Sequence, residues 1–472
     1  MNKAVMTLST VGVIAACGAG GYFWAQHEGE AQLRAATDSV RASLGPQGSF
    51  SYTSSQVHPF SRAADLSGVA MRMADGRLYT AEQVNLTKVD HGEFGTIHVK
   101  NLQHRGTDGS VLTVETTDAR DVTFPPPLPG APVAISPGAV TFVELTMRKL
   151  RVESLAFSAS TDSAAIGNYG AGRSSNLVLD GFSAPVPSVQ GVDRIAFARL
   201  SVSGVDLASF VDAVSRGAQP LNIVGPKYSV AIDNLLVANG NTKVGEIARA
   251  EVSGEQAGGL GAQKGRLAAT GISITLPKSG PGAEYTSTLP DVIRGDLQIG
   301  TAYNAAGGVL GVEPFSLNVE GVGKLDATFR VLHVDLGAFS TGEQPNPAAI
   351  EAMVSNAQLA LATVSLEDKG LRNQVYALGQ AHTGATPQQL AEFAAQAVTN
   401  DAVLRTLPNG TDIARTVSNF LRNGGRIEVA ARPQQPLGLG DLQTLVSPQA
   451  AAQRLGLQAK SEAAPPAKAV PR

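Results

Sequence analysis

Residues 4–25 carry no charge, and this run constrains the chain more than any other feature. It follows Met1-Asn2-Lys3, a short positive start, and ends in the aromatic cluster Tyr22, Phe23 and Trp24. Twenty-two helical residues span about 33 Å, enough for the roughly 30 Å hydrocarbon core of a bilayer. Ala4, Val11, Val13 and Ile14 supply lipid-facing side chains, and the closing aromatics suit the lipid–water interface. Glu28 and Glu30 follow directly, so positive charge precedes the span and negative charge trails it. That asymmetry predicts a single-pass anchor with its N-terminus in the cytoplasm and the rest of the chain exported. A second reading stays open. Ile14-Ala15-Ala16-Cys17 is similar to a bacterial lipobox, which makes Cys17 a lipidation site and the protein a lipoprotein.

Composition narrows the body. Charged residues make up 16% of the 472-residue chain, well under the roughly 25% of an average soluble protein, and hydrophobic residues make up 43%. Such a chain can bury a sizeable core and is not disordered throughout. A net charge of −3 offers no basic surface for nucleic acid. One cysteine excludes an internal disulfide framework and a cysteine zinc site.

From residue 49 the hydrophobic period is two. Strands are expected over 49–57, 78–86, 95–100 and 111–116, with Asp75-Gly76 and Asp108-Gly109 as hairpin turns. The polyproline stretch 124–130 reads as a boundary between β sections. One short pattern recurs at strand ends: an apolar residue, any residue, Gly or Asn, then an apolar residue. It occurs around Gly68, Asn101, Gly181, Gly204, Asn234, Gly271 and Gly321. Gly and Asn tolerate positive φ, so these are expected bends that would curve a sheet in one sense. The segments 198–210 and 327–339 echo one another, each ending in Val-Asp-Leu-x-x-Phe, with Asp206 placed to cap a helix that Gly217 stops.

The last third changes character. Helices are expected over 347–360, after the Thr386-Pro387 cap, over 412–421 and from Ser447-Pro448 toward Leu455. A closing strand is expected at 426–431, after Gly424-Gly425. The predicted organisation is a signal anchor at 1–27, a juxtamembrane helix at 28–46 and an N-terminal β section at 47–124. A central β section at 125–340, a helix-rich part with its closing strand at 341–460 and a disordered tail at 461–472 complete it. The fold class is mainly β with α segments (α+β): an extended, curved, largely antiparallel sheet, a mixed α/β C-terminal part and one transmembrane helix.

No catalytic constellation emerges. His91, His98 and His104 form the single histidine cluster, and a strand through Ile97 and Val99 points His98 away from the apolar face. Gly259, Gly261 and Gly265 precede a strand instead of a helix, so a phosphate there would lack a helix N-terminus. No nucleophile elbow, phosphate loop or zinc-protease motif is present, and no catalytic, cofactor or metal residue is assigned.

Three features carry a resemblance: the Met1-Asn2-Lys3 start with its apolar span, the strand series over 49–124, and the run 360–457 of strand, Gly370, helix, Gly424-Gly425 and strand. In layout the chain resembles bacterial YdgA-like and AsmA-like envelope proteins. The resemblance implies an inner-membrane-anchored periplasmic protein without known catalytic residues, and AsmA-like relatives add lipid handling. The expected function is therefore non-catalytic, in envelope maintenance or in binding lipid or another hydrophobic ligand. The alternative is a structural subunit that binds protein partners. The expected partners are the membrane, and lipid or protein, but no nucleic acid.

Overall fold

The computed structural model describes residues 41, 44, 47–90, 93–125, 137–154, 157–189, 191–218, 220, 223–256, 263–276, 290–336, 347–407, 409–444 and 448–463. The protein is mainly β and antiparallel, and it divides into two units between Thr242 and Lys243. The expected anchor, the juxtamembrane segment 28–46 apart from Arg41 and Leu44, and the final nine residues lie outside the described residues.

In the first unit, β1 (Ser49–Ser51) and β2 (Ser54–His58) both pair with β3 (Ala63–Arg72). The meander continues through β4 (Leu78–Thr87), β5 (Glu93–Arg105), β6 (Val111–Thr123), β7 (Phe142–Glu153) and β8 (Ser158–Tyr169). It ends with β9 (Ser175–Val189), β10 (Val192–Val205) and β11 (Val224–Asn239). The two Asp-Gly turns form as expected, with Gly76 at φ 92 and Gly109 at φ 79. The proline-rich segment joins β6 and β7, which pair from Val111↔Glu153 to Arg120↔Glu144. Helix α1 (Leu207–Ser215) forms where Asp206 predicts it: the Asp206 carboxylate accepts from the Ser209 N–H at 2.9 Å.

All seven Gly or Asn positions of the recurring pattern adopt positive φ. Four of them fall on one transverse line. Flanking registers set Gly68 on β3 opposite Glu82, then Asn101 on β5, Glu115, Lys149 on β7, Asp162, Gly181 on β9, Ala198 and Asn234 on β11. The left-handed residue sits on every second strand: Gly68, Asn101, Lys149, Gly181 and Asn234, with φ between 51 and 67. At this line buried positions step by three instead of two: Leu66 then Val69, Ala81 then Val84, Val99 then Leu102, Val114 then Thr117. Two consecutive side chains point outward in every strand, so the same face stays apolar across a corner.

A second line runs six residues away. There the left-handed residues are Lys88, Asp121, Asn168 and Gly204, beside or within the even-numbered strands. Buried positions again step by three: Leu86 then Val89, Phe94 then Ile97, Ala119 then Val122, Phe142 then Leu145, Ile166 then Tyr169. One hydrophobic cluster spans all three segments so delimited, and α1 adds Ala208 to it. A Cβ at Gly68 would overlap the Thr53 hydroxyl, and one at Gly181 the Asp162 carboxylate, so the closest approaches along the first line need glycine.

The second unit holds β12 (Thr242–Gln256), β13 (Gln263–Thr275), β14 (Val292–Asn304), β15 (Val309–Val319), β16 (Gly323–Leu332) and β17 (Gln358–Asp368) in antiparallel succession. The helix expected over 347–360 is shorter: α2 spans Pro347–Asn356 and β17 starts at Gln358, because residues 358–366 pair with β16 instead of continuing a helix. Four helices follow: α3 (Leu371–Thr383), α4 (Pro387–Thr399), α5 (Ala402–Thr406) and α6 (Gly410–Asn423). Thr386 caps α4 in a reciprocal capping box with Gln389. Strand β18 (Arg426–Ala431) pairs with β17, β19 (Leu437–Gly438) follows, and α7 (Leu439–Thr444) and α8 (Pro448–Leu455) lead to β20 (Leu457–Glu462). The last strand pairs with β18 and carries residues 461 and 462, the start of the expected tail. The second half of the Val-Asp-Leu echo, from residue 337, lies outside the described residues.

Candidate functional site

The apolar face of the first unit is covered unevenly. Over β3–β8 the inward side chains are buried, with Val84, Ile97, Val99 and Val122 fully so. Over β9–β11 the same face is half-buried. The cross-strand sets Leu177, Val202, Val230 and Leu179, Leu200, Ile232 have intermediate exposure, and Phe182 stacks on Phe197 with ring centroids 4.6 Å apart.

Where the covered part gives way to the open part lies a cavity of about 230 Å³. Strand β8 is its floor, and small side chains make it: Ala159, Thr161 and Ala164. Strand β7 supplies one wall through Leu145, Met147, Leu150 and Val152, and β9 the other through Leu177, Leu179 and Phe182. The floor rises at Ile166, before the second line, and at Tyr169, beyond it, and the Tyr169 ring lies flat against Phe142 at 4.6 Å. Burial, and then Asp206 and Asp212, push the Tyr169 phenol well above its ordinary value, so it is neutral at every physiological pH. Thr161 is the polar residue of the floor. Its hydroxyl donates to the Asp180 carbonyl at 2.6 Å and approaches the Ser163 carbonyl at 3.1 Å. The trough is therefore lined mainly by hydrocarbon, with Ser160 as its other aliphatic hydroxyl residue.

The histidines do not converge. His98 faces outward, as its strand position predicts, and meets Asp118 at 2.5 Å. His104 faces inward, 2% exposed, with its ring 4.5 Å from that of Tyr79 and its Nε2 without a partner. Burial lowers its pKa below the ordinary 6.5, and the Arg77 charge lowers it further. His91 lies outside the described residues. Among the described residues no group of three or more His, Cys, Asp or Glu side chains is placed to hold a metal ion.

The residues assigned to the membrane anchor, Ala4, Val11, Val13, Ile14, Tyr22, Phe23 and Trp24, and the alternative lipidation site Cys17 lie outside the described residues. Among the described residues no helix is long and apolar enough to cross a membrane. The trough itself was not read from the sequence. Its signal is the Ser- and Ala-rich stretch 158–167 set between two strands rich in Leu, Met and Val.

In the second unit an apolar line crosses seven strands through paired residues: Val252, Leu267, Ile299, Phe315, Ala327, Val364 and Val429. Val252 is 44% exposed, and Leu267, Val364 and Val429 close to 40%. A smaller cluster around Tyr303, Val334 and Ala357 packs at its edge, where the Tyr303 hydroxyl donates to the Val334 carbonyl at 3.0 Å.

Comparison with known proteins adds one match. A family described as "Uncharacterized protein" matches residues 316–462, less than a third of the chain, from within β15 to the end of β20. No curated protein matches.

Proposed function

We propose that this chain is a non-catalytic, single-pass inner-membrane protein whose body lies in the periplasm and binds the hydrocarbon part of a lipid or another hydrophobic ligand, in envelope maintenance. The trough between β7 and β9 carries this reading: it is sizeable and lined mainly by apolar side chains, and the Thr161 hydroxyl on its floor is already engaged, which favours hydrocarbon over a ligand recognised chiefly by hydrogen bonds. The uncharged run 4–25 supports the anchor. The resemblance to YdgA-like and AsmA-like envelope proteins supports the compartment, with a sheet curved around its ligand. Two measurements test the proposal. A reporter enzyme active only outside the cytoplasm, fused after Arg472, is expected to be active; activity confined to a cytoplasmic reporter overturns the location. Full-length protein extracted from membranes is expected to retain lipid after exhaustive washing, detected by mass spectrometry of an organic extract. Absence of any bound hydrophobic compound overturns the ligand.

The exposed apolar line of the second unit favours a second reading, a scaffold for protein partners in the envelope. A stable protein complex lacking bound lipid would decide for it. Lipidation at Cys17 is the alternative mode of attachment. A Cys17→Ala variant that stays membrane-bound and loses no lipid modification would exclude it.

A further inference from the structure

We infer that the trough accepts one straight alkyl chain at a time, along the β8 floor, and rejects fused-ring and paired-chain hydrocarbon. The inference rests on the ligand-binding reading above and specifies its ligand. Width comes first. The walls stand on β7 and β9, two strand spacings apart, or about 10 Å between backbones. Leu and Met side chains on one wall and Leu and Phe on the other project into that gap, so the clearance over the β8 floor is a single chain wide. Length comes next. The floor is low from Ala159 to Ala164, five residue steps or about 17 Å of strand. It then closes at Ile166 and Tyr169, the latter held by its stack on Phe142. Chemistry decides the orientation. With the Thr161 hydroxyl already donating to the Asp180 carbonyl, a ligand headgroup inside would leave its polar atoms unpaired. The methyl end therefore lies toward Tyr169 and the polar end leaves the trough past Ala159, where Ser158 and the exposed Ser160 lie.

The test uses the full chain held in an amphipathic polymer, with bound trans-parinaric acid, a straight fluorescent polyene, as probe. Straight-chain alcohols from butanol to tetradecanol displace it, and cholate serves as the fused-ring comparator. Affinity is expected to rise about fourfold per added methylene and to level off before fourteen carbons, once the chain outgrows a floor of about 17 Å, while cholate displaces nothing. Ala164→Leu raises the floor and is expected to move the levelling point about three carbons shorter. Ala159→Leu, at the other end of the floor, serves if the first variant does not fold. Affinity that climbs without levelling to fourteen carbons, or cholate displacing the probe as well as octanol does, overturns the single-chain inference and leaves the ligand-binding reading standing. If the probe and every alcohol fail to bind, the ligand-binding reading falls as well.

Discussion

Position 101 offers a direct measurement of the corner geometry, because two ordinary expectations for a strand residue collide there. Asn101 sits within β5, its side chain exposed and bonded to Glu82, with φ at 51. In a regular strand Val is favoured over Gly, on a scale that spans about 1 kcal/mol. In the left-handed region an L-residue is disfavoured by about 1–2 kcal/mol, and a β-branched one is the worst choice. Both substitutions lose the same hydrogen bond to Glu82, so the comparison between them isolates the backbone. Asn101→Gly is therefore expected to be the more stable variant by about 1–2 kcal/mol, which for a unit of this size is about 2–8 °C in the unfolding midpoint. Gln103, two residues on, is the control: it pairs with Thr80 and Thr113 in a regular ladder, and there Val is expected to beat Gly. The assay is thermal unfolding of the four full-length variants by far-UV circular dichroism. An Asn101→Val variant as stable as Asn101→Gly would refute the corner, and with it the claim that the first unit keeps one apolar face across two lines.

Two further outcomes are expected. His104 is neutral and buried in the fold, and its folded pKa lies below 6.5. Between that folded value and 6.5 the unfolded chain binds a proton that the folded chain does not, so stability is full above 6.5 and falls as pH drops. Burial acts first on this ring and Arg77 reinforces it, while Asp108 and Asp75 oppose; His104→Leu is expected to flatten the dependence of the unfolding midpoint between pH 7 and pH 5. An unchanged slope would show that His104 is not its source. Thr386→Ala removes the capping box on α4 and is expected to cost about 1 kcal/mol, whereas Thr386→Ser is nearly neutral. Amide hydrogen exchange in the first turn of α4 should accelerate about fivefold in the alanine variant alone.

How much of this was legible depended on residue type. The first line of left-handed residues was visible at Gly68, Asn101, Gly181 and Asn234, because those residues advertise positive φ. Lys149 on the same line, and Lys88 and Asp121 on the second, give no such signal; neighbouring strands hold them there against their own preference. Their trace in the sequence is the spacing, an apolar step of three inside a run of period two, as in Met147 to Leu150 or Ala119 to Val122. A reading that tests only for strict alternation breaks such strands short, which is why β5 and β6 extend to Arg105 and Thr123, past the expected ends. Caps were legible for the opposite reason: Asp206 and Thr386 act within three residues of themselves. The trough was not legible, since its cause is the register that sets the Ala-rich β8 between Leu-rich neighbours, and register is a long-range property.

The alternation of the two lines bears on why the site lies where it does. Left-handed residues fall on β3, β5, β7, β9 and β11 at one line and beside or within β4, β6, β8 and β10 at the other, with Arg62 flanking β3 there, so the corners are shared among the strands. Through β8 the inner face is filled by side chains that meet across these corners. Past Asp162 the residues available to fill it shrink to Ala159, Thr161 and Ala164, while β9–β11 keep large apolar side chains with nothing packed fully over them. A sheet that ended its core for lack of sequence would turn polar at this point. This one stays apolar at Leu177, Leu179, Phe182, Phe197 and Leu200, where water contact is unfavourable at roughly 25 cal/mol for each Å² left uncovered. Persistent apolar side chains on a half-buried face, beside a floor cut away to alanine, fit the proposed hydrocarbon site better than a finished folding core.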